Sequence, residues 1–391
     1  MDKSDRLRGK LSRRELLTAG LAGICTLGVV GNSGCIPAVA RREDQAQEMG
    51  GLGLVRPIPA SWFSERDQSR VACDLCPHRC VLADGQRSRC RVRENRHGVG
   101  YTLAYGNPAL VQEDPVERKP FFHVVPGSRA LSVSTAGCNL ACSFCEVWDM
   151  ALVRPEDVLA YDMSPELVVA HAQVSGVRAI SYAFGEPVVF YEYMADIAGL
   201  AREAGLLNLI HTAGYIEPEP LRRLSETLDA ANVDLKGFDP AFYREYVGGE
   251  LQPVLDSLRL LRDAGVHVEI TNILIPTLND DMDTIGEMCA WIAGELGAGV
   301  PLHFARFYPL YRLAALPRTP VSTLDRARKV ALEAGLDYVY IAKVTGHDGE
   351  NTFCPGCGEA IIKRLGFVIE QIQMEDGSCR YCGRDIPGRW I

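Results

Sequence analysis

The sequence has no surplus of basic charge: 41 Lys and Arg face 50 Asp and Glu, for a formal net charge of −9. A general nucleic-acid binder needs a basic surface to displace counterions, so that class is excluded. Long apolar runs are equally scarce. Only one uncharged stretch, Leu16 to Ala40, is long enough to span a bilayer, which excludes a polytopic membrane protein. Apolar residues themselves are not lacking. Hydrophobic residues make up 47% and charged residues 23% of the chain, so wholesale disorder is ruled out too. The 391 residues suit one large domain or two to three smaller ones. What is abundant is cysteine, with 14 residues that cluster.

Eleven of the 14 cysteines fall into three groups: Cys73, Cys76, Cys80 and Cys90; Cys138, Cys142 and Cys145; and Cys354, Cys357, Cys379 and Cys382. Disulfide frameworks spread cysteines through a small secreted chain. Close C-x2-C and C-x3-C pairs point instead to metal, because neighbouring thiolates converge on one ion or cluster. Cys289 stands alone in the apolar stretch Met288–Ile292 and reads as a small buried hydrophobe.

Residues 1–14 carry six basic and two acidic residues, and Ser12-Arg13-Arg14-Glu15-Leu16-Leu17 leads into the charge-free run. This resembles a twin-arginine export signal. Ser33-Gly34-Cys35 resembles the end of a lipoprotein cleavage box with Cys35 as the acylated residue, although Asn32 stands where an aliphatic residue is usual. The alternatives are an uncleaved membrane anchor and an unused leader. Arg41 to Gly53 is polar and reads as a linker, so residues 1–60 are set apart from the fold.

From Ala130 onward, short β-rich runs alternate with helical patterns. Strands are expected at Ala130–Thr135, Val177–Phe184, Leu206–Thr212, Asn232–Leu235, Val266–Leu274, Leu302–Tyr308 and Tyr338–Ala342. Ser164-Pro165 opens a helix with Ser164 as N-cap. Ala204-Gly205, Ala264-Gly265 and Ala334-Gly335 close helices. Repeated βα units imply an α/β fold with a parallel sheet, open or closed, and such folds carry chemistry where the strands end.

The strand ends are polar. The first runs into Cys138-x3-Cys142-x2-Cys145, the second into Gly185-Glu186-Pro187, the third into Thr212-Ala213-Gly214-Tyr215 and the fourth into Asp234-Leu235-Lys236. Three cysteines on one loop can hold three irons of a cubane and leave the fourth open, whereas four thiolates would make an electron-transfer site.

In this order, the four motifs resemble the radical S-adenosylmethionine (radical SAM) superfamily. Asp234-Leu235-Lys236-Gly237-Phe238 is similar to the branch that contains the pyruvate formate-lyase activating enzymes. Both flanks resemble the AmmeMemoRadiSam-system radical SAM proteins: Cys73-x2-Cys76-Pro77-His78-x-Cys80, Asp114-Pro115-Val116-Glu117-Arg118-Lys119-Pro120, and Gly346-His347-Asp348-Gly349-Glu350-Asn351 before Cys354. The resemblance implies a partial (β/α)6 TIM-like barrel with small Cys-rich metal-binding segments at both ends. It divides the chain into leader and linker (1–60), N-terminal Cys-rich segment (61–127), radical SAM core (128–345) and a C-terminal four-cysteine, zinc-ribbon-like segment (346–391).

It also implies a [4Fe–4S] cluster on Cys138, Cys142 and Cys145, with S-adenosylmethionine (SAM) on the open iron. Gly185, Glu186 and Pro187 would meet the methionyl amino group, since a residue without Cβ allows close approach and a carboxylate or carbonyl suits an ammonium. Thr212 and Gly214 belong to the same cofactor-binding set. Asp234 and Lys236 would face the SAM carboxylate or a bound cation. Activating enzymes carry an acidic residue where this chain has His211, and an Asn where it has Ala213. Imidazole is a poorer partner for a cation than a carboxylate is.

Other residues carry two readings. His303, Arg306 and Tyr308 touch substrate or are interior polar residues. Cys354, Cys357, Cys379 and Cys382 hold structural zinc or an auxiliary iron–sulfur cluster. Cys73, Cys76, Cys80 and Cys90 hold zinc or a second cluster, with His78 as an alternative ligand. The basic run Arg87, Arg89, Arg91, Arg93 and Arg96 is a solvated face or a contact for an acidic partner.

The activity expected is reductive cleavage of SAM to a 5′-deoxyadenosyl radical, served by a low-potential electron donor, with a protein as candidate substrate and no nucleic acid. The alternative is an exported iron–sulfur electron carrier without SAM chemistry. SAM and the donor are expected in the cytoplasm, while the leader argues for export or for membrane attachment through itself or acylated Cys35. Twin-arginine systems carry folded, cofactor-loaded proteins, so the two are compatible, with a cytoplasmic location as the alternative.

Overall fold

The computed structural model describes residues 52–67 and 69–390. The leader, its Arg13-Arg14 pair and Cys35 lie outside the described residues. Among the described residues, no helix is long and apolar enough to cross a membrane.

The centre is an eight-stranded sheet of β1 (Leu110–Pro115), β2 (Arg129–Ser134), β3 (Ala179–Tyr182), β4 (Leu207–Thr212), β5 (Ala230–Asp234), β6 (His267–Leu274), β7 (Leu302–Arg306) and β8 (Val339–Ala342). Strand order in space follows strand order in the chain, so nowhere does the winding reverse. β2 to β8 are parallel, and β1 pairs antiparallel with β2. Parallel strands need long crossovers. Six helices supply them: α1 (Pro165–Ser175), α2 (Tyr191–Glu203), α3 (Pro218–Ser225), α4 (Leu251–Asp263), α5 (Met282–Glu295) and α6 (Val321–Glu333). Ser164 caps α1 by accepting from Leu167 N, with Pro165 at the first position. Gly205, Gly265 and Gly335 take the left-handed conformation after α2, α4 and α6 and turn the chain back into a strand.

Alternate residues of a strand face opposite sides. On one side Leu131, Ile180, Val233, Ile270 and Phe304 pack into the main core. On the other, Ser132, Ser181, Asn232, Glu269 and His303 are buried and polar. Where the strands begin, Val116, Phe121, Val124 and Val125 pack on Ala130, Ala179 and Ala230 and close that end. The C-terminal segment joins the same end: Cys354, Ile361, Cys379 and Ile386 pack with Phe122, Tyr338 and Tyr340, and Val124 bridges to Arg389. The opposite end, where the strands finish, is left to the polar loops.

Candidate active site

The loop after β2 carries Cys138, Cys142 and Cys145, and its shape is set by backbone bonds. Ala141 N donates to Val247 O at 3.0 Å, and Ser143 N donates to Tyr246 O at 2.8 Å. Asn139 Nδ2 donates to Tyr215 O at 2.7 Å. Gly137 begins the loop with φ +100°, and a Cβ there would lie 2.5 Å from Val92 Cγ1. Only glycine combines that conformation with that approach. Phe144 is buried and lies over Phe242, with ring centroids 6.0 Å apart. Burial raises all three thiols and pushes Cys142 up to about 11 despite the nearby Lys236 ammonium. Thiolates ligate metal, so loading this loop releases protons.

The turn after β3 stands beside it. Gly185 N donates to Ser134 Oγ at 3.0 Å, and a Cβ on Gly185 would lie 2.4 Å from that oxygen. Phe184, just before Gly185, adopts φ +73°. Its ring lies 4.5 Å from Lys119 Nζ, and Lys119 is itself paired with Asp114 at 2.6 Å. Glu186 is buried, and both its oxygens are occupied: Thr212 Oγ1 and Val188 N donate to Oε1, and Ala213 N donates to Oε2. The carboxylate is thus a strut between the ends of β3 and β4, with Oε2 holding one donor and able to accept a second. Gly214 (φ +65°) donates its N–H to Thr212 Oγ1 at 3.1 Å.

At the end of β5, Asp234 accepts from His211 Nε2 and Lys236 Nζ, both at 2.9 Å. Burial would raise this carboxyl, but Lys236 and His211 hold it well below the usual carboxylate range. Burial would likewise lower Lys236, and Asp234 keeps it charged. His211, standing where activating enzymes have an acid, therefore takes one of the two oxygens that a cation would need.

The remaining candidates separate. His303 is fully buried toward the closed end, bonded to Glu269 Oε2 at 2.6 Å and edge-on to Phe122 at 4.8 Å, so it is an interior polar residue. Arg306 and Tyr308 lie at the open end. Arg306 Nε donates to Thr319 O at 2.8 Å, and Tyr308 is 38% exposed. The Cys354 quartet stands at the closed end. Its four sulfurs all lie within 4.8 Å of one another, with Cys354–Cys382 at 3.5 Å and Cys357–Cys379 at 3.8 Å.

Several supporting residues carry no motif. Tyr243 Oη accepts from Lys236 N at 3.1 Å, Asn279 Nδ2 donates to Lys236 O at 2.8 Å, and Asn272 Nδ2 donates to Leu235 O at 2.6 Å. Tyr243–Val247 forms a π-turn whose carbonyls hold the cysteine loop. Gly248-Gly249 just after it was the sole signal that this segment approaches something closely.

The model of the radical SAM superfamily matches residues 132–289, a span that includes every strand-end motif described above. Uncharacterised protein MJ0808 of Methanocaldococcus jannaschii is 40% identical over 329 residues, 84% of this chain and 98% of that protein. The chain belongs to the radical SAM superfamily. The pyruvate formate-lyase-activating enzyme of Clostridium pasteurianum is 29% identical over 168 residues, 42% of this chain and 68% of that enzyme. The GTP 3′,8-cyclase of Bradyrhizobium diazoefficiens is 26% identical over 269 residues, 62% of this chain and 76% of that enzyme.

Radical SAM proteins hold a [4Fe–4S] cluster and SAM, and the residues here fit both. Three thiols on one loop leave one iron for the cofactor. Gly185 keeps the wall beside Ser134 free of a side chain, and Lys236 supplies a buried cation for a carboxylate.

Proposed function

We propose that this radical SAM enzyme is of the activating-enzyme type and takes hydrogen from a protein or partner-bound substrate. The observation that carries the reading is the shared end of β2, β3, β4 and β5, where the cysteine triplet, the Gly185 turn, the Glu186–Thr212 strut and the Asp234–Lys236 pair meet. When bound, the cluster and SAM supply, on one-electron reduction, a 5′-deoxyadenosyl radical that abstracts hydrogen. This chain's own part is placement. Cys138, Cys142 and Cys145 would hold the cluster, Lys236 would meet the SAM carboxylate, and backbone acceptors near Gly185 would meet the amino group. The likeness to a pyruvate formate-lyase-activating enzyme and the Asp234-Leu235-Lys236 motif support the subtype.

The unreversed strand order supports a sheet that curls into a partial barrel, with the closed end stoppered by residues 116–125. Both flanking Cys-rich segments support placement among AmmeMemoRadiSam-system proteins. The twin-arginine leader supports export or membrane association, with a low-potential donor supplying electrons. The electron-carrier alternative gains no support from the relatives, and electron transfer alone needs neither the Glu186 strut nor Lys236.

For the Cys354 quartet we infer a single structural ion, zinc by preference. Bonds of about 2.3 Å to one tetrahedral ion bring sulfurs to roughly 3.8 Å from one another, as found for Cys354–Cys382 and Cys357–Cys379.

The test is anaerobic. The protein is reconstituted with iron and sulfide, reduced with dithionite and given SAM. Release of 5′-deoxyadenosine that vanishes in Cys142→Ala is the expected result. No release from a spectroscopically intact cluster would overturn the reading.

A further inference from the structure

We infer that Cys73, Cys76, Cys80 and Cys90 hold a second [4Fe–4S] cluster, with the triplet loop as one of its walls. These four thiols are free, and they line one small cavity together with Ser88, Arg89 and Arg93.

The spacing separates this site from the C-terminal quartet. There, all four sulfurs lie within 4.8 Å of one another, as one tetrahedral ion requires. Among the four N-terminal thiols, no three meet that limit. A cubane binds each thiolate through a different iron, so its sulfurs stand farther apart than those around one ion. The same chain thus carries two four-cysteine sites of different width.

The surroundings suit a cluster. Leu75, Val188 and Val189 complete the cavity wall and shield it from water. Arg93 is 1% exposed; Glu192 holds its two terminal nitrogens at 3.0 Å, and its Nε has no partner among the described residues. A buried N–H left open beside four thiols is matched by an anionic cluster, whose sulfurs accept hydrogen bonds. Ser88 Oγ lies 3.0 Å from Cys90 Sγ and can supply another. His78 Nε2 donates to Asn139 O at 2.7 Å, and the four cysteines already supply one thiolate for each iron of a cubane.

Asn139 lies between the first and second cysteines of the triplet, and a Cβ on Gly137 would come within 2.8 Å of Cys90 O. The two sites therefore share a wall. The glycine that opens the triplet loop is required by the backbone of the N-terminal site.

The experiment uses the full chain, reconstituted anaerobically and analysed for iron, sulfide and zinc. Wild-type protein is expected to hold about eight irons and eight sulfides, as two cubanes require. The triple variant Cys138→Ala/Cys142→Ala/Cys145→Ala should keep half of each. After reduction it should show a cubane electron paramagnetic resonance signal that SAM does not change. Cys76→Ser/Cys80→Ser should lose the other half and keep a signal that SAM perturbs. Wild-type protein with only four irons and two zinc ions would overturn the inference, even if neither variant folds. A SAM-insensitive cluster in the triple variant that is lost when Cys76→Ser/Cys80→Ser is added would uphold it whether or not the wild type cleaves SAM, and one that survives the addition would overturn it.

Discussion

The hydroxyl of Thr212 donates to Oε1 of Glu186 at 2.6 Å, tying the end of β4 to the turn after β3. Both residues are buried, and Ala213 N completes the link at 2.9 Å. The carboxylate thereby sets the spacing of two walls of the cofactor site.

Glu186→Gln keeps the shape but turns one acceptor into a donor, which then faces the Val188 N–H or the Ala213 N–H. A buried mismatch of this kind costs about 1–3 kcal/mol. The expected outcome is a KM for SAM raised several-fold at unchanged iron content. It is read from 5′-deoxyadenosine release against SAM concentration, and an unchanged KM would refute the strut.

Gly185→Ala puts a Cβ where Ser134 Oγ lies 2.4 Å away, and moving that oxygen gives up its bond from Gly185 N, which keeps only Ala183 O at 3.1 Å. Iron content should hold while SAM-dependent change in the cluster's electron paramagnetic resonance spectrum is lost. Retention of that change would show that the turn relaxes.

Asp234→Asn leaves the Lys236 ammonium without its counter-charge. Breaking a largely buried pair costs about 3 kcal/mol. Asp234 is held below its unfolded pKa, so its contribution is complete above that value and is lost as pH falls toward the folded one. The stability gap between wild type and variant, measured by urea denaturation of the metal-free protein, should stay constant from pH 8 to 6. A gap that closes within that range would assign the effect to another group.

His123 predicts a slope in another window. Burial lowers its pKa to about 3, and its ring bonds Pro387 O and Tyr340 Oη, both at 2.6 Å. The folded state keeps it neutral while the unfolded chain protonates near pH 6.5, so stability falls with pH below that value. Between pH 7 and pH 5 the loss should be about 2 kcal/mol. His123→Gln should flatten the urea midpoint over that range, since Glu269 remains ionised throughout it.

Cys357→Ser/Cys382→Ser should release one metal ion per chain and lower the melting temperature. The site stands at the closed end, away from the chemistry, so the triplet's cluster signal and its response to SAM should survive. Loss of that response would make the quartet part of the active site.

The seven parallel strands were legible in the sequence. Their runs are apolar on the helix side and polar on the other, and glycine stops follow the helices. Cys138-x3-Cys142-x2-Cys145, Gly185-Glu186-Pro187 and Asp234-x-Lys236 could be read because each spans a few neighbouring residues at a strand end. Spacing along the chain sufficed to bring each motif together.

Partnership across the chain could not be read that way. Nothing local in Glu186 says that its oxygens face Thr212 and Ala213, or in His211 that it shares Asp234 with Lys236. His303 follows the strand alternation correctly, yet only the packing of Phe122 beneath the sheet makes it interior. Spacing along the chain left zinc and a cluster open for both four-cysteine groups, and only the C-terminal group has sulfurs within 4.8 Å of one another. The sequence determined which side chains stand where the strands end, because strand period and loop length are local properties. Which of those side chains are spent on one another was decided by tertiary structure, because hydrogen bonds and metal ligation depend on distances between residues far apart in the chain.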